Sequence, residues 1–97
     1  MQVNGRTYPL LSQFVDNKEE FIGGVMTDFD GRGYVTKIVD IVLKPNGEDS
    51  AFFEVVGEDF NCGFDVELGR ITENHYNDGI AFSRMYIGTF TIQKKEA

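Results

Sequence analysis

The 97-residue chain has very few residues that cross-link proteins or bind metals, since it contains one cysteine, Cys62, and one histidine, His75. A single cysteine excludes an internal disulfide, and the absence of any Asn-x-Ser/Thr sequon is also typical of a protein from a reducing cytosol. One Cys and one His fall short of the four ligands of a structural zinc site. We therefore expect a cytoplasmic protein that needs no metal or cofactor.

Long apolar runs are also missing. No stretch approaches the ~20 apolar residues that span a bilayer, and residues 1–5 lack the basic segment and apolar run of a signal peptide. A net charge of −7 disfavours binding to anionic lipid or nucleic acid. The sequence thus predicts a protein that contacts neither a membrane nor nucleic acid directly.

Aromatic residues are plentiful, with nine Phe and four Tyr in a chain whose length suits a single domain over residues 1–97. Phe and Tyr bury large areas per residue, so we expect an aromatic-rich core.

The N-terminal quarter predicts one hairpin and one helix. Asn4-Gly5 between extended residues is a strong hairpin signal, but the two residues before it are too few for a full strand, so a bent edge strand is the alternative interpretation. Apolar residues recur with helical spacing over 9–22, with Pro9 at the first position and Gly23-Gly24 at the end. Ser12 is an alternative N-cap.

From Val25 onward, β-branched residues and turn formers predict strands over 25–29, 34–44, 51–57, 64–71, 80–85 and 86–94. The 34–44 strand is apolar on both faces, so we expect it to be covered on both, while Thr89 to Gln93 suits an exposed edge. Every link is too short for a parallel crossover. The predicted fold is α+β: one N-terminal helix packed on a five- to six-stranded antiparallel sheet that can curl toward a barrel.

The charge of the chain is concentrated in one segment, residues 48–78, which holds nine of the sixteen acidic residues and one basic residue, Arg70. The nine acids are Glu48, Asp49, Glu54, Glu58, Asp59, Asp65, Glu67, Glu73 and Asp78. A surface that served only solubility would mix Lys and Arg among them, so the segregation indicates a basic partner.

Asp65 and Glu67 alternate with Phe64, Val66 and Leu68. On one strand this pattern places both carboxylates on the same face, about 6.5–7 Å apart, which is comparable to the spacing of successive phosphates. Glu54 alternates in the same way, so neighbouring strands would form an array of carboxylates. For any single acid, a solvated outer face is the alternative interpretation.

These observations favour a non-enzymatic interaction protein that mimics nucleic acid and occupies a basic cleft on a nucleic-acid-binding protein or ribonucleoprotein complex. The predicted partner-binding residues are the nine acids and Tyr76, which would anchor the rim of the contact. Small size, acidity and missing catalytic motifs are similar to those of many phage-encoded inhibitors, including anti-CRISPR and anti-restriction proteins. That similarity is one of composition and would place the protein in a host cytoplasm.

Two other classes of function stay open. A structural or assembly module would pair through its sheet edges as a small homo-oligomer, whereas the inhibitor would act as a monomer. A ligand binder or enzyme would use Cys62 and His75. Asp28 to Gly33 resembles the start of a calcium loop, but Arg32 and Val39 occupy its fifth and twelfth positions, so we interpret it as a hairpin turn.

Overall fold

The computed structural model describes residues 2–27, 34–67, 69–73, 80–84 and 88–96. In this part of the chain there is one α-helix, α1 (Pro9–Asp16), followed by a 3₁₀ turn over Lys18–Glu20. The strands are β1 (Gln2–Val3), β2 (Arg6–Thr7), β3 (Val25–Thr27), β4 (Val35–Asn46), β5 (Ser50–Gly57), β6 (Asn61–Asp65), β7 (Gly69–Glu73), β8 (Ile80–Arg84) and β9 (Gly88–Ile92).

The first two strands form a small hairpin of their own. Asn4 and Gly5 both have positive φ, 53° and 74°, as a two-residue hairpin turn matching the strand twist requires. The Asn4 side chain donates hydrogen bonds to the carbonyl oxygens of Gly47 (3.1 Å) and Ser50 (2.6 Å). The predicted hairpin is therefore present, and it is attached to the turn between β4 and β5.

The other seven strands form one sheet in the order β6-β5-β4-β3-β9-β8-β7, and every paired strand is antiparallel. The α+β class and the antiparallel sheet are confirmed. The sheet has one or two strands more than expected because the predicted 64–71 strand is divided into β6 and β7. Asp65 ends β6 by accepting a hydrogen bond from the Glu67 backbone N–H at 2.9 Å, a local bond that competes with strand pairing.

The sheet is strongly curved. β6 and β7 lie at its opposite ends, yet only residues 66–68 connect them, so the sheet must bend until its ends approach each other. Among the described strands no ladder joins β6 to β7, so the sheet curls without closing into a barrel. The curvature creates a concave face that needs an apolar filling.

Aromatic rings fill that concave face. Phe53, Phe64, Phe82 and Phe90 are each at most 1% exposed. Phe14 of α1 reaches the same cluster, with its ring centroid 6.1 Å from that of Phe53 and 5.3 Å from that of Phe82. The expected aromatic core is confirmed, and the helix covers the inner side of the sheet.

Two predictions about element boundaries and exposure were wrong. The helix ends at Asp16 instead of Ile22. Asn17 leaves the helical conformation, with φ −109° and ψ 24°, its side-chain amide caps the Gln13 carbonyl at 2.8 Å, and the chain continues as the 3₁₀ turn over Lys18–Glu20. Strand β4 is covered on one face only, since Val35 and Val39 are 53% and 41% exposed.

The prediction of an edge strand at Thr89 to Gln93 was also wrong. Strand β9 pairs with β3 on one side and β8 on the other. Its alternating pattern resembled an edge because only one face of this sheet is buried. The ends of the sheet are β6 and β7.

Candidate interaction surface at the acidic end of the sheet

Asp65 organises one end of the sheet through three hydrogen bonds. Its Oδ2 accepts from the Ser50 hydroxyl at 2.6 Å and from the Asn46 side-chain amide at 2.8 Å. Its Oδ1 accepts from the Glu67 backbone N–H at 2.9 Å. One carboxylate therefore joins the β4–β5 hairpin to the residues that follow β6.

These hydrogen bonds keep Asp65 ionised. The Ser50 hydroxyl makes the largest contribution, and with the Glu67 N–H and the Asn46 amide it outweighs desolvation and lowers the pKa of Asp65 below the usual 3.8. All three donors are uncharged, and among the described residues no cation lies within 4.0 Å of this carboxylate. Asp65 thus holds a negative charge that the described part of the fold does not neutralise.

Three further acids lie in the two turns that Asp65 joins, and we call the four residues Glu48, Asp49, Asp65 and Glu67 the acidic end. Glu48 and Asp49 are exposed in the turn between β4 and β5, whose flanking residues are the two side-chain donors to Asp65. Glu67 is exposed and lies 3.7 Å from the Arg6 guanidinium, which is also exposed. An ion pair in that setting contributes little stability, so a competing cation can displace Arg6.

Glu54 lies near Asp65 on the outer face of the sheet. Asp65 pairs with Phe52, which is two residues before Glu54 on β5, so the two acids are diagonal neighbours on adjacent strands. The Lys44 ammonium is 3.4 Å from the Glu54 carboxylate and also lies over the Phe52 ring, 5.7 Å from its centroid. The Glu54 charge is therefore largely compensated within the sheet.

Glu58 and Asp59 lie at the opposite end of β5. The Asp59 backbone N–H donates to the Thr36 hydroxyl at 2.9 Å, and the Glu58 N–H donates to the Lys37 carbonyl at 3.0 Å. Strand β5 contains eight residues, and the seven steps from Ser50 to Gly57 span about 23 Å at ~3.3 Å per residue. Apart from Glu54, which lies within β5, the described acids of segment 48–78 are therefore divided between the two ends of this strand.

Most of the remaining predicted site residues lie outside the part of the chain that the structure describes. Glu73 is the last residue of β7, and its side chain lies outside the described part, as do His75, Tyr76, Asp78 and the possible calcium loop over 28–33. Cys62 is 3% exposed and belongs to the core cluster, which fits a packed structural thiol.

The predicted placement of Asp65 and Glu67 on one strand was wrong, because β6 ends at Asp65 and Glu67 lies in the following turn. Sequence reasoning also missed Asn46 and Ser50, the two uncharged donors to Asp65. Asn46 and Ser50 flank Gly47-Glu48-Asp49, a sequence typical of a turn. Their shared acceptor, Asp65, lies on β6, which comes beside them only when the chain folds.

Replacing Asp65 by Asn should lower the free energy of unfolding at pH 7 by about 1–2 kcal/mol, because an amide N–H₂ would face groups that are themselves donors. The folded-state pKa of Asp65 is depressed, so its contribution is present above the usual value of 3.8 and is lost as pH falls through the folded pKa. The stability gap between wild type and Asp65→Asn should therefore shrink below about pH 4 in urea unfolding experiments.

Asp49→Asn, in the neighbouring turn, removes the same charge and should change stability by less than ~0.5 kcal/mol. If the difference in the free energy of unfolding between wild type and Asp65→Asn stayed constant down to low pH, the stabilising role assigned to the ionised carboxylate would be contradicted.

In the described ranges, no three His, Cys, Asp or Glu side chains come together in an arrangement that could hold a metal ion. The helices in the same ranges are too short or too polar to cross a membrane. Comparisons of the chain with known protein families, characterised proteins and solved structures found no match. The geometry of the acidic end is therefore the basis for any assignment of function.

Proposed function

We propose that this protein is a non-enzymatic interaction protein whose acidic end occupies a basic, nucleic-acid-binding surface on a protein or ribonucleoprotein partner. The observation that supports the proposal is the ionised Asp65, held by three uncharged donors. The exposed residues Glu48 and Asp49 lie in the chain between two of those donors, Asn46 and Ser50, and the exposed Glu67 supplies the third through its backbone N–H. Arg6 is the one cation paired with these four acids among the described residues.

The physical reason is electrostatic attraction. Lys and Arg side chains that line a cleft attract the phosphates of a nucleic acid, whose condensed cations are released on binding. Carboxylates held in place by backbone and side-chain hydrogen bonds attract the same cationic side chains, and little ordering of the acidic protein is needed on binding. Asp65 meets that requirement most fully.

The proposed surface is smaller than the one expected from the sequence. It rests on four acids, whereas Glu54 is paired with Lys44, and Glu58 and Asp59 lie at the other end of β5. Participation of Glu73, Tyr76 and Asp78 stays a prediction. An inhibitor of the anti-CRISPR or anti-restriction kind, acting in the cytoplasm of a host cell, is the form of this function that the composition favours.

Displacement of a labelled oligonucleotide from purified basic DNA- and RNA-binding proteins, followed by fluorescence anisotropy, tests the proposal. The triple variant Glu48→Gln, Asp49→Asn, Glu67→Gln should need at least ~10-fold more protein for half-displacement, since each exposed charge contributes up to ~0.5–1 kcal/mol. The salt dependence of displacement should also become shallower.

A second triple variant, Asp16→Asn, Glu19→Gln, Glu96→Gln, provides the matched control. It removes the same charge from exposed positions outside the acidic segment, so it should change displacement by less than ~2-fold if net charge alone has little influence. An equal loss of oligonucleotide displacement in both triple variants would contradict the proposal. So would the absence of displacement by the wild-type protein.

Assembly through sheet edges is the second candidate, because β6 and β7 each pair with only one neighbour among the described strands. Exposed strand edges can pair with another copy of the chain. A homo-oligomer that is indifferent to salt in size-exclusion chromatography with light scattering would favour assembly over the acidic-surface role.

A further inference from the structure

An open cleft lies between the start of α1 and the connection from β6 to β7. Its volume is about 510 Å³, within the size range of sites that bind small molecules or side chains. Its lining includes Leu10 and Leu11 of α1, Phe64 of β6, and Val66 and Glu67. The cleft therefore adjoins the acidic end and shares Glu67 with it.

The walls of the cleft are mainly apolar. Leu11 and Phe64 belong to the buried core, at 8% and 1% exposed, whereas Leu10 at the rim is 65% exposed. The floor is thus continuous with the buried core, and the exposed Leu10 extends its apolar surface to the rim.

The rim of the cleft carries one carboxylate among the described residues, that of Glu67. Arg6 approaches Glu67 at 3.7 Å, but both side chains are more than half exposed. A cation brought by a ligand can therefore replace Arg6 at Glu67 without opening a buried ion pair.

We propose that this cleft binds a segment of the protein partner in which a large apolar side chain is flanked by Lys or Arg. The apolar side chain inserts between Leu10 and Phe64, and the neighbouring cation reaches Glu67. This inference rests on the proposed function and adds to it an apolar anchor of the kind that dominates the affinity of protein interfaces. Charge complementarity at the rim excludes an acidic segment.

Selection from a random 12-residue displayed peptide library on the wild-type protein, with counter-selection on Leu10→Asp, tests the inference. Enriched peptides should pair a Leu, Met or Phe with an adjacent Lys or Arg. For the best peptide, measured by fluorescence anisotropy, Leu10→Asp should weaken binding at least ~10-fold and Glu67→Gln about 3-fold or more.

Two controls separate local effects from general ones. Tyr34→Asp places the same charge at another exposed apolar position, 59% exposed, and Glu19→Gln removes an exposed carboxylate elsewhere. Each should change peptide affinity by less than ~2-fold, as expected for a surface substitution outside the contact.

The other outcomes overturn the cleft assignment. Peptides rich only in Lys and Arg that bind Leu10→Asp normally would leave the acidic-surface function standing without the anchor. If apolar peptides were selected and their affinity did not change in Glu67→Gln, the cleft would bind an uncharged ligand. If the selection enriched no peptide, the cleft would not be a binding site. If the wild-type protein bound the selected peptide but did not displace the oligonucleotide, the proposed function would be rejected and the cleft assignment would stand.

Discussion

Replacing Phe82 by alanine should lower the free energy of unfolding by about 3–5 kcal/mol, the range found when large aromatic side chains are removed from protein cores. Phe82 lies on β8, and its ring centroid is 5.1 Å from that of Phe53, 5.1 Å from that of Phe90 and 5.3 Å from that of Phe14. It therefore joins residues of β5, β9 and α1. The alanine variant would lose those contacts and leave a cavity between elements distant in the sequence.

Phe52→Ala is the matched control for Phe82→Ala. Phe52 lies on the outer face of β5 and is partly exposed beneath Lys44, so its removal should cost about 1 kcal/mol. Urea unfolding monitored by far-ultraviolet circular dichroism gives both values. Similar losses for the two variants would contradict the view that stability is concentrated on the concave face.

Gly24→Ala should destabilise the fold by about 3 kcal/mol through steric overlap. Gly24 connects the 3₁₀ turn to β3, where the segment following β9 passes close by. A Cβ at Gly24 would overlap the Gln93 carbonyl oxygen and lie 2.9 Å from the backbone nitrogen of Lys95. These are backbone atoms of a neighbouring segment, so relief requires moving chain that is itself hydrogen-bonded to Val25 and Glu20.

The adjacent glycine provides the comparison for Gly24→Ala. Gly23 has a φ of 93°, but a Cβ there meets only the Lys95 side chain at 3.7 Å, an ordinary contact. Gly23→Ala should therefore cost about 1–2 kcal/mol, from the left-handed backbone alone. Thermal unfolding of both variants separates the two causes, and an equal cost at both positions would reject the proposed backbone overlap at Gly24.

The candidate site at the acidic end was predicted from the sequence only in part. The excess of acids over 48–78 is visible in the sequence, but their division between two ends of β5 is not. Glu48 and Asp65 are 17 positions apart in the chain, and the turn that holds Glu48 is joined to Asp65 through the hydrogen bonds from Asn46 and Ser50. Glu54 is compensated by Lys44, a partner ten residues away that becomes adjacent through strand pairing.

The amino-acid sequence by itself determined the local features of this protein: the Asn4-Gly5 hairpin, the start of the helix at Pro9, the antiparallel connections and the aromatic core. The hairpin, the helix start and the connections depend on residues within a few positions of one another, whose backbone preferences act locally. The aromatic core was predictable from composition, because Phe and Tyr bury large areas, although its rings come from elements far apart in the chain. The tertiary structure alone decided the order of the strands, the curvature that brings β6 near β7, and the cleft beside Leu10. Those features depend on contacts between segments far apart in the chain, and no short-range pattern encodes which distant partner is met.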